Sequence, residues 1–120
     1  MPKVFLVEDD DTMRNLISTL LGLEGYQVVS YSGDCDMAQI LHNIRAEMPS
    51  LLILDVHLRQ SNGFELLRLI RKDQGLCNLP VLVSSGMELA DESQREGADG
   101  FIVKPYMPEE LISKIQGMLG

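Results

Sequence analysis

The sequence predicts an α/β fold, in which a parallel β-sheet carries helices on both of its faces. Short, nearly continuous apolar runs alternate five times with longer segments whose apolar residues recur at helical spacing. Continuous apolar runs are typical of strands that are covered on both faces. Strands that alternate with helices pair in parallel through right-handed crossovers, so the carboxyl ends of all the strands should lie along one edge of the sheet.

The five predicted strands are short, and most of them are apolar throughout. They comprise residues 3–7, 27–31, 51–54, 81–84 and 101–103. The first helix follows the first strand, with Asp11 or Thr12 as its predicted N-cap and Gly25 as its C-terminal stop. Its apolar side chains recur at helical spacing and are Met13, Leu16, Ile17, Leu20 and Leu21.

Three of the four later helices have a clear apolar pattern. The second spans 36–45, the third 63–72 and the last Pro108–Leu119, where proline suits the first turn. The side chains expected to face the core are Ala38, Leu41 and Ile44 in the second helix and Phe64, Leu66, Leu67 and Ile70 in the third. The fourth segment, 86–99, has few apolar residues and no continuous stripe, so we predict a short or irregular helix there.

The size and composition of the chain exclude several classes of protein. Its 120 residues, 45% of them hydrophobic, suit a single globular domain that spans 1–120. The net charge of -8 argues against direct binding to nucleic acid, because proteins hold phosphate backbones through Lys and Arg. No apolar run approaches the roughly 20 residues that span a bilayer, and the N-terminus does not resemble a signal peptide. With two cysteines, Cys35 and Cys77, and no CxxC pattern, the chain suits a reducing cytoplasm.

Chemically reactive side chains end or directly follow four of the five predicted strands. They are Glu8 and Asp9 after the first strand, Asp55 and His57 after the third, Ser84 at the end of the fourth with Ser85 after it, and Lys104 and Pro105 after the fifth. Two carboxylates ~4 Å apart repel each other by about 4 kcal/mol at an effective dielectric constant near 20, so acids from separate strands need a compensating cation. Mg²⁺ suits a site with one or two carboxylates, a backbone carbonyl and a phosphoryl oxygen. Lys104 adds a fixed positive charge and Ser85 a hydroxyl donor.

Four sequence motifs, in the same order and spacing, resemble those of the receiver domain of two-component response regulators, with the stand-alone chemotaxis type closest in local pattern. They are the acidic pair in "VEDDDTMRNLI", the phosphoacceptor strand in "LLILDVHLRQSNGFELL", the hydroxyl motif in "PVLVSSG" and the Lys-Pro motif in "GADGFIVKP". The similarity covers nearly the whole chain. It implies a doubly wound, flavodoxin-like sheet of five strands in the order 2-1-3-4-5.

The resemblance also implies a role for each site residue. Asp55 would be the nucleophile that accepts a phosphoryl group from a phosphohistidine. Asp9 would ligate Mg²⁺ directly and Glu8 through a water or at longer reach, and the backbone carbonyl of His57 would complete the protein ligands. Mg²⁺, Lys104 and Ser85 would then stabilise the charge that spreads over the phosphoryl oxygens.

Further residues would switch and tune the domain by the same resemblance. The bond from Lys104 to Pro105 resembles the cis peptide of the family, which turns the lysine into the site. If the phosphoryl group draws Ser85 inward, Phe101 on the fifth strand is expected to rotate into the space behind it. His57 lies where side chains influence the hydrolysis of the acyl phosphate, and Arg59 replaces the usual proline.

The expected partners are a sensor histidine kinase or a phosphotransfer protein, together with a downstream protein or a C-terminal output domain; a homodimer stays open. We expect no direct nucleic-acid binding, no membrane, and no separate substrate beyond the domain's own phosphorylation and dephosphorylation. A docking or dimerising module with the same fold but no switch is the alternative. A haloacid-dehalogenase-like phosphatase would need a second carboxylate at position 57, where this chain has His57. A flavodoxin-like binding module would need a phosphate cradle where "EDDDT" repels anions.

Overall fold

The structure, a computed structural model, describes residues 2–34, 36–59 and 61–119, so Cys35 and Gln60 lie outside the described residues. Within these ranges five strands alternate with five helices. The strands are β1 (Lys3–Val7), β2 (Gln27–Tyr31), β3 (Leu51–Asp55), β4 (Val81–Ser85) and β5 (Gly100–Val103). The helices are α1 (Asp11–Leu23), α2 (Met37–Glu47), α3 (Gly63–Lys72), α4 (Ala90–Arg95) and α5 (Pro108–Leu119).

All five strands are parallel and lie in the order β2-β1-β3-β4-β5, which confirms the predicted sheet. In this register Val7 lies opposite Leu54, and Asp55 lies opposite Ser84. The carboxyl ends of the strands therefore form one edge, and the residues that follow β1, β3, β4 and β5 meet there.

The strands alternate their side chains between two apolar clusters, one on each face of the sheet. Phe5 and Leu52 point toward the helices α2 and α3, whose buried residues include Ile44 and Leu67. Their chain neighbours point to the opposite face, against α1 and α5. Side chains of that second cluster are Val4, Leu6, Ile17, Leu21, Ile53, Leu111 and Ile115. Coverage of both faces explains why the strand sequences are continuously apolar.

The helices differ from the prediction in the bounds of α2, which spans Met37–Glu47 rather than 36–45, and in two further details. The N-cap of α1 is Asp10, one residue before the predicted Asp11 or Thr12, and its carboxylate accepts the amide hydrogen of Met13 (2.8 Å). In α2 the fully buried positions are Ile40 and Ile44, one helical turn apart, whereas Ala38 is exposed. The larger side chains set the rotation of α2, because burying isoleucine removes more apolar surface from water than burying alanine.

The fourth helix has six residues, in agreement with the weak pattern of its sequence. Two arginines of α3 hold the segment that follows α4. Arg68 forms a two-pronged ion pair with Glu96 (2.5 and 2.9 Å). Arg71 donates to the carbonyl of Gly97 (2.9 Å) and to the carboxylate of Asp99 (2.8 Å). We call these two interactions the α3–α4 tether.

Among the helices of the described segments, none combines the length and the hydrophobicity needed to cross a lipid bilayer.

Candidate functional site

Three acidic side chains are buried at the carboxyl edge of the sheet. Glu8 and Asp9 follow β1, and Asp55 ends β3; their exposed fractions are 3%, 7% and 7%. Ionised carboxylates at this depth lose most of their hydration, and three together repel one another. We call Glu8, Asp9 and Asp55 the acid site.

Lys104 connects two members of the acid site. Its Nζ donates to the carboxylate of Glu8 (2.6 Å) and to that of Asp55 (3.1 Å). The backbone of the lysine is fixed by a hydrogen bond from its N–H to the carbonyl of Ser85 (2.7 Å), beyond the ends of β4 and β5. The following Lys104–Pro105 peptide is cis, as the family resemblance implied. The structure therefore brings residues at the carboxyl ends of β1, β3 and β5 into direct contact.

Asp9 is held by backbone amides rather than by a cation. One carboxylate oxygen accepts the N–H of Gly33, and the other accepts the N–H of Arg59. Gly33 lies in the loop after β2, to which the sequence assigned no reactive group. A Cβ atom at this position would overlap the Asp9 carboxylate and lie 2.9 Å from the Cβ of Leu58. The glycine at the end of "SYSG" was the available signal, because glycine permits such close backbone approach.

The electrostatics of the acid site follow from burial and from the contact with the lysine. Burial raises the pKa of Asp55; Lys104 opposes this shift, and the negative charge of Glu8 adds to it. Burial alone would lower the pKa of Lys104, but its contacts with Glu8 and Asp55 raise it above the ordinary value. The lysine therefore stays charged at neutral pH, while Asp55 ionises less readily than an exposed aspartate.

The two serines that end β4 are both buried, and they have different positions. Ser84 lies opposite Asp55 in the register. Ser85, one residue further along, is fully buried, and its Oγ accepts the N–H of Met87 (3.0 Å). Phe101 is half-buried on β5 opposite Val83 and packs against the α2/α3 core. Ser85 is thus placed at the carboxyl edge, and Phe101 lies two strand positions before the end of β5.

The remaining predicted residues surround the acid site. The side chain of His57 is exposed, and the backbone N–H of His57 donates to the carboxylate of Asp55 (3.4 Å). The side chain of Arg59 is 62% exposed. Pro105 is also exposed. None of the three is buried as deeply as the acids.

The donor set of the acid site fits a hard divalent cation. Within residues 2–34, 36–59 and 61–119, no three or more Asp, Glu, His or Cys side chains converge into a ready-made metal cage. Mg²⁺ does not require one, because it binds through one or two carboxylates and keeps several waters. Each oxygen of Asp9 accepts one amide hydrogen and retains a second lone pair for a metal. Three buried acids, of which Lys104 contacts only Glu8 and Asp55, leave the negative charge that such a cation would balance.

An apolar cleft of about 400 Å³ opens beside the acid site, between α1 and α5. Leu16 and Leu20 of α1 line one wall, and Leu111 of α5 lines the other. Tyr106 also lines it, and burial raises the pKa of Tyr106 to about 12, so its hydroxyl stays protonated. Leu16 is 58% exposed, which leaves a hydrophobic surface next to Lys104.

Comparison with known proteins gives one consistent result. The family model described as response regulator receiver domain matches residues 4–116. The transcriptional regulatory protein GltR of Pseudomonas aeruginosa is 38% identical over 121 residues, which cover 97% of this chain and 48% of GltR. The chain thus spans about half the length of the curated relatives it matches.

Solved structures agree with this match. The chemotaxis protein CheY4 of Vibrio cholerae superposes with a TM-score of 0.87 at 28% identity, over 98% of each chain. The receiver domain of the sensor histidine kinase PA1611 of Pseudomonas aeruginosa superposes with a TM-score of 0.85 at 21% identity, over 99% of this chain and 98% of that one. The latter shares the fold and is described with a magnesium ion coordinated in its active site cleft.

Proposed function

The chain belongs to the response regulator receiver domains of two-component systems, and from this premise we propose that Asp55 is its phosphoacceptor and that Mg²⁺ is its cofactor. The observation that supports the proposal most directly is the contact of Lys104 Nζ with both Glu8 and Asp55. A lysine in this position keeps a positive charge beside the nucleophile.

Each residue of the site has a separate role in phosphoryl transfer. A carboxylate oxygen of Asp55 attacks the phosphorus, and the bond from phosphorus to the phosphohistidine nitrogen breaks. Lys104 binds a phosphoryl oxygen, and Ser85 donates its hydroxyl to another. Asp9, Asp55 and the backbone carbonyl of His57 would hold Mg²⁺, with Glu8 acting through a water. Bound Mg²⁺ would neutralise charge on the phosphoryl oxygens.

The same groups support loss of the phosphoryl group to water, so the domain acts on its own acyl phosphate rather than on a separate substrate. His57 and Arg59 lie exposed at the mouth of the site. Both are placed to influence the approach of that water. Pro105 follows the lysine in the cis peptide, at the start of the loop that leads to α5.

We propose that phosphorylation changes the conformation through Ser85 and Phe101. The Ser85 hydroxyl, which accepts from Met87 N–H, would turn toward the phosphoryl group. Movement of Ser85 would let the half-buried ring of Phe101 move further inward. Because Phe101 has no hydroxyl, it would act by packing alone. The acyl phosphate would in this way shift the balance between two conformations.

The proposed phosphodonor partner is a sensor histidine kinase or a phosphotransfer protein. The apolar cleft beside Lys104 offers such a partner a hydrophobic surface within reach of the acid site. Because the curated relatives are about twice as long, we also propose a C-terminal output domain or a downstream protein as the recipient of the signal, in the cytoplasm. A homodimer is compatible with either arrangement.

Intact mass measurement tests this function. Wild type and Asp55→Asn are incubated with acetyl phosphate, with and without Mg²⁺. We expect wild type to gain the mass of one phosphoryl group only when Mg²⁺ is present, and Asp55→Asn to gain none. Asp91→Asn, at an exposed position of α4, removes the same charge elsewhere and should behave as wild type. Equal labelling of Asp55→Asn would exclude Asp55 as the acceptor, and a wild type that stays unlabelled would favour the docking module.

A further inference from the structure

Arg59 is a positive charge at the mouth of the acid site, and the proposed function gives it a role only in the approach of water to the acyl phosphate. Its backbone N–H holds the carboxylate of Asp9. Its guanidinium makes two further contacts, with the carboxylate of Asp34 (3.5 Å) and the backbone carbonyl of Asp9 (3.4 Å). The residue thus reaches the loops after β1 and β2 from the loop after β3.

The guanidinium of Arg59 is loosely held. Both of its contacts are longer than the 2.7–3.2 Å of a typical N–H···O hydrogen bond. Its side chain is 62% exposed, and that of Asp34 is 48% exposed. Arg14, the other arginine near the acids, differs in both respects. It donates to the carbonyl of Glu8 at 2.8 Å, and its side chain is only 19% exposed.

The negative electrostatic potential at the carboxyl edge of the sheet disfavours the approach of a small anionic phosphodonor. The chain carries a net charge of -8, and Asp10, Asp11 and Asp34 add negative charge beyond the carboxyl ends of β1 and β2. Lys104 is only 22% exposed and is already engaged with Glu8 and Asp55. Arg59 is exposed and has only long contacts to lose, so its positive charge would be the first to attract the donor. A guanidinium also binds phosphoryl oxygens in a two-pronged geometry.

We propose that Arg59 is a binding residue for the phosphoryl dianion of small phosphodonors, an assignment that rests on the proposed function of Asp55. When Asp55 attacks, a phosphorus–oxygen bond forms and the bond to the leaving group breaks. Acyl phosphate releases a carboxylate with the electron pair, and phosphoramidate releases ammonia after the nitrogen takes a proton from water. Arg59 acts before this step, on the dianion that both donors share, and so it increases donor affinity rather than the maximal rate.

Phosphorylation kinetics test the assignment with two donors that differ in their leaving groups. Rates are measured against the concentration of acetyl phosphate and of phosphoramidate for wild type, Arg59→Gln, Arg59→Lys and Lys72→Gln. In Arg59→Gln the half-saturating concentration should rise about fivefold for both donors, with an unchanged maximal rate. Arg59→Lys should recover part of the loss. The effect should shrink in about 0.5 M salt, because exposed charges are screened.

Lys72→Gln is the matched control for net charge, because Lys72 is exposed at the end of α3 and makes no ion pair in the described segments. It should leave both half-saturating concentrations unchanged. A loss for one donor only, a fall in the maximal rate, an equal loss in Lys72→Gln or no change in Arg59→Gln would each overturn the assignment.

A binding measurement separates this assignment from the proposed function. The Asp55→Asn protein cannot be phosphorylated at that position, so acetonyl phosphonate, a donor analogue that transfers nothing, is titrated into its ¹⁵N-labelled form with Mg²⁺. We expect the Arg59 Nε–H resonance to shift with saturation, and the affinity to fall about fivefold when Arg59→Gln is added. An Arg59 resonance that does not respond would overturn the assignment even if wild type accepts a phosphoryl group at Asp55. A response without phosphorylation of wild type would instead contradict only the function of Asp55.

Discussion

The acid site and the α3–α4 tether both depend on charged side chains, but they arrange them in opposite ways. In the acid site three buried carboxylates gather around Lys104, which contacts two of them. In the tether each positive charge has one negative partner, since Arg68 pairs with Glu96 and Arg71 pairs with Asp99. All four of these side chains are between 21% and 51% exposed. The first arrangement leaves charge unbalanced, whereas the second balances it locally.

We interpret the uncompensated charges of the acid site as serving its chemistry, and the paired charges of the tether as positioning a segment of the chain. Exposed ion pairs contribute little free energy, so the tether mainly determines where the segment after the short α4 lies. Buried acids without enough partners lower stability, and proteins retain such groups where function requires them. We therefore expect removal of a carboxylate charge to raise the free energy of unfolding in the acid site and to lower it in the tether.

The backbone support of the acid site should show the largest effect. Gly63 begins α3, and its N–H donates to the carbonyl of Val56 (2.7 Å). A Cβ atom at this position would overlap the carbonyl oxygen of Asp55 and lie 3.0 Å from the Cα of Val56. Gly63→Ala should lower the free energy of unfolding by about 2–3 kcal/mol, because neither backbone atom can move without displacing β3. Urea denaturation measures this change.

Gly22→Ala is the control for the effect of glycine itself. Gly22 lies in α1, and no atom outside its own helix lies within 4 Å of where its Cβ would be. The substitution should raise the free energy of unfolding by about 0.5–1 kcal/mol, since alanine favours the helix. If Gly63→Ala proved as harmless as Gly22→Ala, the close packing behind Asp55 would be refuted.

The tether should show an intermediate effect that is centred on Arg71. Besides Gly97 and Asp99, this guanidinium donates to the carbonyls of Leu79 (2.7 Å) and Cys77 (3.2 Å). Arg71→Gln should lower the free energy of unfolding by about 1–2 kcal/mol, because several carbonyl groups lose a charged donor together. Amide hydrogen exchange should accelerate at Gly97 before it does in β3.

Arg68→Gln is the comparison within the tether. Arg68 contacts only the carboxylate of Glu96 in the described residues, and its side chain is 51% exposed. Its substitution should change the unfolding midpoint less than Arg71→Gln does. An equal loss from both variants would mean that the tether stabilises the protein as a whole, rather than mainly through the carbonyl contacts of Arg71.

The fold was predictable because its strongest signals are local in the sequence. Short runs that are mostly apolar indicated the five strands, and a missing apolar stripe indicated the short α4. The N-cap of α1 was wrong by one residue, since Asp10, Asp11 and Thr12 are all good N-caps and composition cannot choose among them. Ala38 was wrong as an inward residue because the final rotation of α2 depends on packing.

The candidate site was predictable where side chains carry the chemistry. Glu8 and Lys104 each follow a strand and Asp55 ends one, and the parallel sheet alone suffices to bring them together. Gly33 was missed because every residue except proline carries a backbone N–H like the one that binds Asp9, and a single loop glycine was the only signal. Contacts such as Arg71 with Asp99 were missed as well, since they join segments whose distance depends on the completed tertiary structure.

The smallest effect we predict is a gain in stability from the acid site. Burial raises the pKa of Asp55 in the folded protein, so its ionisation at neutral pH opposes folding, and this penalty fades as the pH falls through the folded pKa toward 3.8. The neutral amide of the Asp55→Asn variant would carry no such penalty, and Lys104 would keep its shorter bond, to Glu8. Without divalent ions, Asp55→Asn should therefore raise the free energy of unfolding at pH 7 by about 1 kcal/mol, and the gain should shrink in acid.

Glu96→Gln in the tether supplies the opposite case, measured by the same urea denaturation from neutral pH into acid. The hydrogen bond from Arg68 lowers the pKa of Glu96, so its ionised form favours folding, and that contribution is lost as the pH falls from 4.5 through the folded pKa. Glu96→Gln should thus be less stable than wild type at neutral pH and should approach it in acid. If Asp55→Asn lost stability at neutral pH as Glu96→Gln does, the charges of the acids around Lys104 would be as fully compensated as those of the surface ion pairs. A divalent cation would then have no excess charge to neutralise, and the proposed Mg²⁺ site would lose its physical basis.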